Sequence, residues 1–268
     1  NSHNVAVGYG AGGAVTTGVR NTLLGALAGD ALTSSNENVA VGYGALGATT
    51  TGDANTSIGA FSLQTNILSD RNVALGHSAL ATHNQATRVD SYNTAVGFFA
   101  GEKVTTGIYN VLIGGLAGDA ITDADFNVAV GTNALSTNIL GSQNVAVGNA
   151  ALNAMNPATA ADMYNTAVGA SAGLSVTTAI RNTLIGGLSG DALTTGARNT
   201  TLGYAALSGD TLGSRTVAIG YEALGSQNFT TATDAYNVAV GYAAGNAVTT
   251  GIENTLIGGL AGDALTDA

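Results

Sequence analysis

The sequence predicts an all-β fold, a repetitive parallel β-solenoid of fifteen coils, and three observations lead there. An Asn, a β-branched residue, two small or aliphatic residues and a Gly recur from Asn4 to Asn254, every 17 residues, with 21-residue coils opening at Asn72, Asn144 and Thr216. A short fixed period marks repeats that stack and share one core. The coils also differ among themselves in a fixed order of four. Asn93, Asn165 and Asn237 therefore open equivalent coils of a 72-residue block, and the first block carries one additional coil at Asn55. No helical periodicity of 3.6 residues competes with this pattern. We read residues 1–268 as a single array. Because an uncapped solenoid end exposes unpaired backbone, the expectation is a piece of a longer fibre or a subunit that stacks end to end. Fifteen layers at ~4.8 Å each make a rod of roughly 70 Å.

Counting from the Asn as offset 0, each position has its own chemistry. Offset 0 is Asn in every coil except at Thr216, which suits a ladder of side-chain amides running up the stack. Offset 1 is Val or Thr and offset 3 is Val, Ile or Leu throughout. They share one face of a strand and are expected to form the dry interior. Offset 2, on the opposite face, is mostly Ala, with Leu in one coil type. A strand apolar on both faces is covered on both, so Ala6, Leu23, Leu112, Leu184 and Leu256 are expected between chains of an oligomer. Offset 4 is always Gly, for a bend that a Cβ would obstruct, and offset 7 is always Ala or Ser.

Charge follows the same division. Of 7 basic and 17 acidic residues, only Glu222 lies before offset 9. The first half of each coil is expected in an oligomer and the second half in water. The net charge of −10 excludes a nucleic-acid binder, which needs a basic stripe. No apolar run is long enough for a membrane helix, and no signal peptide is visible. The absence of Cys removes disulfides and thiolate chemistry, which is compatible with an extracellular location.

The runs NVAVGYGAGGAVTTG and NTLIGGLAGDALT resemble the head repeats of trimeric autotransporter adhesins and the β-roll repeats of phage tail fibres. The likeness rests on the Asn, the Val-Ala-Val or Ile segment, the Gly and the small residue after it, and extends from Asn4 along the whole chain. The 17-residue period and the TTG turns depart from the shorter autotransporter repeat. The resemblance implies a left-handed parallel β-roll, a homotrimeric fibre, and attachment or host recognition at a virion or cell surface, with a host glycan or protein as partner. It carries the fold better than the ligand.

The polar residues offer no catalytic set, no cofactor site and no metal site. His3, His77 and His83 do not recur from block to block, and the latter two are expected in solvent. GGLAGDA resembles calcium-roll repeats, but Asp30, Asp119, Asp191 and Asp263 come only once per block. Asp119, Asp123 and Asp125 are the best place for a cation. The Thr pairs Thr16–Thr17, Thr105–Thr106, Thr177–Thr178 and Thr249–Thr250 are interrupted by other residues, which breaks an ice-binding lattice. All six Arg fall at offset 16: Arg20, Arg71, Arg88, Arg181, Arg198 and Arg215. Arg181, Arg198 and Arg215 follow on successive coils, either as a ladder of ion pairs or as a site for anionic glycan or carboxylate. The 21-residue coils end in Asp-x-Tyr, placing Tyr92, Tyr164 and Tyr236 on loops expected to stand proud of the shaft. The function expected is a non-enzymatic, extracellular trimeric fibre for attachment, or its shaft. The alternative is a self-polymerising filament of a cell surface or matrix.

Overall fold

The computed structural model describes residues 2–267, and these form two compact units, Asn1–Thr132 and Asn133–Ala268. Each is an all-β parallel solenoid with no helix among the described residues. In the first unit, eight three-residue strands run from Val5–Val7 to Val128–Val130. Each pairs in parallel with the strand one coil on, like offset against like, as in Val39↔Thr56 and Val41↔Ile58. The second unit has seven such strands, from Val145–Val147 to Thr255–Ile257. It also has two short parallel pairs where a longer coil needs support, Gly141–Ser142 with Ala161–Asp162 and Gly213–Ser214 with Thr233–Asp234.

The strands stop after three residues because the Gly at offset 4 turns the chain. Gly42 has φ +129°, and a Cβ there would lie 2.7 Å from the carbonyl carbon of Gly59 in the next coil. Further left-handed residues follow, so the coil bends without a regular element. In the coil of Asn38 they are Gly44, Leu46 and, just before the next Asn, Ala54. A left-handed L-residue costs ~1–2 kcal/mol. Bonds to neighbouring coils offset that cost: the Leu46 N–H donates to the Ser62 carbonyl at 3.1 Å and the Ala54 N–H to Asn36 at 2.9 Å.

The structure reverses the two strand faces expected from the sequence. Offset 2 points inward: Leu23, Leu112 and Leu184 are fully buried within their own chain, as are Ala40, Ala129 and Ala218. Ala6 and Leu256, also expected between chains, occupy the same inward position and are more open because they lie in the first and last coils. Offsets 1 and 3 point outward and are half-buried or exposed in every strand, with Leu75 43% and Leu202 48% exposed. The reason is width. A 17-residue coil brings offset 2 against the side chains at offsets 7, 8 and 11, and that narrow interior takes a Leu at offset 2 only beside Ala or Ser at offset 7 and Gly at offset 8, as in Leu23 with Ala28 and Gly29. β-Branched residues at offsets 1 and 3 fit the outer face instead.

The same narrowness explains the four-coil cassette. Leu112 lies between two glycines: a Cβ on Gly101, one coil before, would meet its Cδ1 at 2.6 Å, and one on Gly118, in its own coil, would meet its Cδ2 at 2.7 Å. Gly173 and Gly190 stand in the same relation to Leu184. In the coils with Ala at offset 2 and no such glycine, a buried Leu at offset 8 fills the space, as Leu46, Leu80, Leu135 and Leu152 do. Volume is conserved from coil to coil by moving the Leu. Buried hydroxyls pair with one another, as Ser57 with Ser62 and Ser189 with Thr201, each at 2.5 Å.

This packing makes a quantitative prediction. Leu112→Ala should destabilise the first unit by ~2–5 kcal/mol through the cavity it leaves. Gly101→Ala should destabilise by ~1–3 kcal/mol through overpacking, with added strain from its φ of +58°. The double variant should lose less than the sum, because the lost Leu makes room for the new methyl group. Denaturant melts of the four proteins give the coupling; strict additivity would contradict the packing described.

Candidate functional site

The Asn column holds every coil to the next. The backbone N–H of Asn38 donates to Oδ1 of Asn21 at 3.0 Å, and that of Asn55 to Oδ1 of Asn38 at 2.8 Å. Nδ2 of Asn38 reaches across its own coil to the Gly52 carbonyl at 2.9 Å. The expected amide ladder is therefore mainly backbone to side chain, with the amide-to-amide contacts longer, 3.2 Å for Asn38 to Asn21. At Thr216 the pattern is rebuilt by Gln227, whose Nε2 donates to the Thr216 hydroxyl at 3.2 Å and whose Oε1 accepts from Asn237 at 2.8 Å. These residues are buried and structural. The Thr column is structural too, since the Thr33 and Thr194 hydroxyls donate to carbonyls of the next coil at 3.0 Å.

The residue just before each Asn is left-handed, and here the structure joins two sets that the sequence kept apart. In the 21-residue coils the additional residues are inserted ahead of Asp-x-Tyr, so Tyr92, Tyr164 and Tyr236 take the place that Arg20, Arg71, Arg181, Arg198 and Arg215 take elsewhere. Arg88 shares the offset count but not the place; it lies inside a longer coil and has no left-handed backbone. The result is an outward ridge of large side chains in each unit. In the first unit Tyr92, Tyr109 and Phe126 stack along it, with centroids 5.6 and 5.0 Å apart. In the second, Tyr164, Arg181, Arg198, Arg215 and Tyr236 follow on successive coils, all exposed.

The loops do not stand proud over their whole length. The middle residue of Asp-x-Tyr turns inward, with Ser91, Met163 and Ala235 buried. The short strand pairs, and in the first unit a bridge from Asp70 to Asp90, tie that end of the loop to the coil before it. The stretches ahead of it, such as 158–161 and 230–232, are open, and so are the Tyr side chains.

Most guanidinium groups on this side are neutralised within the chain. Arg20 pairs with Glu37 at 2.8 Å, and Arg71 pairs with Asp90. Arg88 reaches both Asp53 and Asp70, and its hydrogen bonds to Asp70 and then Asp53 push its pKa further above the ordinary range. Arg215 meets Asp234 at 3.0 Å and the Tyr236 hydroxyl at 2.7 Å, its guanidinium 5.5 Å from the Tyr236 ring centre. Among the described residues Arg181 and Arg198 have no ion pair.

A second exposed set, not singled out by the sequence reading, sits at offset 5 beside the outward strand face. Tyr204, Tyr221 and Tyr242 stack at 5.6 and 5.4 Å. In the first unit Tyr43, His77 and Phe98 at offset 5 cluster with Phe61 and Phe99 at offset 6, mostly edge to face. The recurrence of aromatics at one offset in neighbouring coils was the available signal. The middle ring, Tyr221, shows solvent only its edge, because both of its faces are taken by its neighbours.

The remaining candidates resolve into scaffold. Asp119, Asp123 and Asp125 do not converge: Asp125 accepts the Ile108 N–H at 2.8 Å and Asp123 the Thr122 hydroxyl at 3.0 Å. Burial raises the pKa of Asp119, and likewise that of Asp191. Among the described residues no three His, Cys, Asp or Glu lie together as a metal site would require. His77 is exposed as expected, whereas His83 is fully buried, because offset 11 points into the core where Met155 and Gln227 sit in the equivalent coils. Neither ring nitrogen of His83 has a hydrogen-bond partner.

That buried imidazole links stability to pH. Burial drives the His83 pKa from 6.5 down to about 4, and the nearby backbone of Thr105 opposes this only in part. Between those values the unfolded chain binds a proton that the folded chain refuses. The contribution of His83 is therefore fully present above about pH 6.5 and is lost as pH falls toward about 4, by roughly 3 kcal/mol at ~1.4 kcal/mol per pH unit. His83→Met, the residue found at this position in the next block, should flatten the melting temperature across that window. An unchanged acid slope in the variant would assign the pH dependence to other groups.

Searches against protein-family models, curated proteins and solved structures find no match to this chain.

Proposed function

We propose that the chain is a non-enzymatic structural module of an extracellular fibre, assembled from several copies, three by the resemblance to adhesin and tail-fibre repeats, and serving attachment or the shaft that carries it. The observation that supports this reading most directly is the outward strand face. At offsets 1 and 3 it presents Val, Ile, Leu and Thr on every coil and no charge, and the aromatic edges at offset 5 broaden it. Soluble monomers seldom leave a contiguous apolar face of that size open. Two outward side chains on each of the eight strands of the first unit, at ~50 Å² each, approach the ~800 Å² per partner of a standard interface. A surface that repeats coil by coil is matched best by another surface of the same period. A second copy of the chain supplies it.

The strand is thus still covered on both sides, with the faces exchanged relative to the sequence expectation: offset 2 by its own coil, offsets 1 and 3 by sister chains. The ridge before each Asn and the polar turns are left for contact with the surroundings. No observation favours catalysis.

Light scattering on a sizing column tests the assembly. The parent chain should run as a closed oligomer, with a trimer expected. Leu75→Lys combined with Leu202→Lys should release monomers that keep their β-sheet circular dichroism, since both side chains point away from the core. A parent chain that is monomeric at micromolar concentration would refute the reading, and open-ended assemblies would favour the self-polymerising filament instead.

A further inference from the structure

Within the ridge, Arg181 and Arg198 differ from every other Arg of the chain. The other four find a carboxylate in a neighbouring coil: Arg20 with Glu37, Arg71 with Asp90, Arg88 with Asp53 and Asp70, and Arg215 with Asp234. The partners of the paired ridge residues are Glu37, Asp90 and Asp234, each in the following coil. In the coils that follow Arg181 and Arg198, the place of Glu37 is taken by Arg198 and Arg215 and the place of Asp90 and Asp234 by Gly196 and Gly213, so the acids are gone and the cations remain. The offset-15 column beside them, which in the first unit supplies Asp53 and Asp70 to Arg88, holds Ile180, Ala197 and Ser214. Two like charges are left ~4.8 Å apart, one coil rise, with a third, Arg215, beside them. They sit at left-handed residues, φ 59° for Arg181 and 60° for Arg198, where Gly or Asn would be the less strained choice. On an acidic chain this is a local concentration of unneutralised positive charge.

We propose that Arg181 and Arg198, with Tyr164 one coil before them, form a binding surface for an acidic polysaccharide, a linear glycan bearing carboxylate or sulfate groups. Guanidinium forks bind such groups in a bidentate manner. Tyr164 is 47% exposed and offers a phenol ring next to the charges, the kind of amphipathic surface against which a sugar ring packs, whereas the Tyr236 ring is covered by Arg215. A polymer with recurring anions meets both forks at once, and the effective concentration of the second contact raises the overall affinity. The proposal rests on the attachment reading and names its ligand class, while the site itself lies within one chain.

The test is binding of immobilised parent protein to polygalacturonate and to dextran sulfate, with neutral dextran as the control. The expected result is binding of at least one acidic polymer that weakens with salt, no binding of dextran, and a loss of at least tenfold in affinity in Arg181→Ala/Arg198→Ala. Arg20→Ala, which removes a paired guanidinium of the same ridge, should leave affinity within twofold. The two acidic polymers distinguish carboxylate from sulfate recognition. Equal binding by the parent and the double variant, or by neutral dextran, would overturn the proposal. So would a double variant that dissociates or melts well below the parent, because the two guanidinium groups would then be partnered by a sister chain. Arg-dependent binding by a monomeric parent would uphold the site and remove the assembly reading; a stable oligomer that binds neither polymer would do the reverse.

Discussion

Each coil must hydrogen-bond to its neighbours in register, like position to like position, and the Asn at offset 0 enforces this. Its side-chain oxygen takes the N–H of the next Asn while its amide closes its own coil onto a carbonyl 14 residues on, so one residue fixes both the layer and the step between layers. Insertions are then tolerated only where they leave the register intact. The 21-residue coils add their length ahead of Asp-x-Tyr, and the next Asn returns to the ladder: Asn93 still donates to Asn72 and Asn165 to Asn144, both at 3.2 Å. Where the Asn is missing, at Thr216, a buried Gln supplies the missing polar atoms.

Register in turn decides the interior. With coils held at a fixed rise, a side chain cannot escape upward or downward, and a bulky residue needs small ones above or beside it. Leu112 between Gly101 and Gly118 shows the consequence. The 72-residue block is therefore a packing unit, because a Leu coil and its glycine neighbours have to be kept together. Most polar side chains enter the core with a local partner, as Asn138 does by bonding both the N–H and the carbonyl of Gly141. The Ser69 and Ser91 hydroxyls and the His83 ring do without one, and for His83 a pH-dependent stability is the consequence.

The outside is organised by the same repeat. Apolar strand residues line one face, hydroxyl and carboxylate side chains tie the turns together, and in each unit a ridge of left-handed residues carries the Arg and Tyr side chains. Ion pairs between coils neutralise that ridge in the first unit. In the second, Gly196 and Gly213 stand beside Arg181 and Arg198 in the place that Asp90 takes beside Arg71, which changes the chemistry of the surface without changing its geometry.

The period, the parallel strands, the Asn column, the obligatory Gly and the absence of charge from the first half of the coil were all legible in the sequence, because a stacked repeat writes each structural column as a column of residue types. Which strand face points inward was not. Alternation shows that Val39 and Val41 share a side and Ala40 takes the other, but both sides are apolar, and only the width of the closed coil decides that the small residue goes in. The same closure set Leu23, Leu112 and Leu184 in the core of their own chain, and buried His83 while leaving His77 exposed. The Arg and Tyr sets looked unrelated because they carry different offset numbers in coils of different length. Only the folded loop, pinned by pairing of Asp90, Asp162 and Asp234 with the coil before, brings them to one left-handed position, since three-dimensional register is counted back from the next Asn rather than forward from the last.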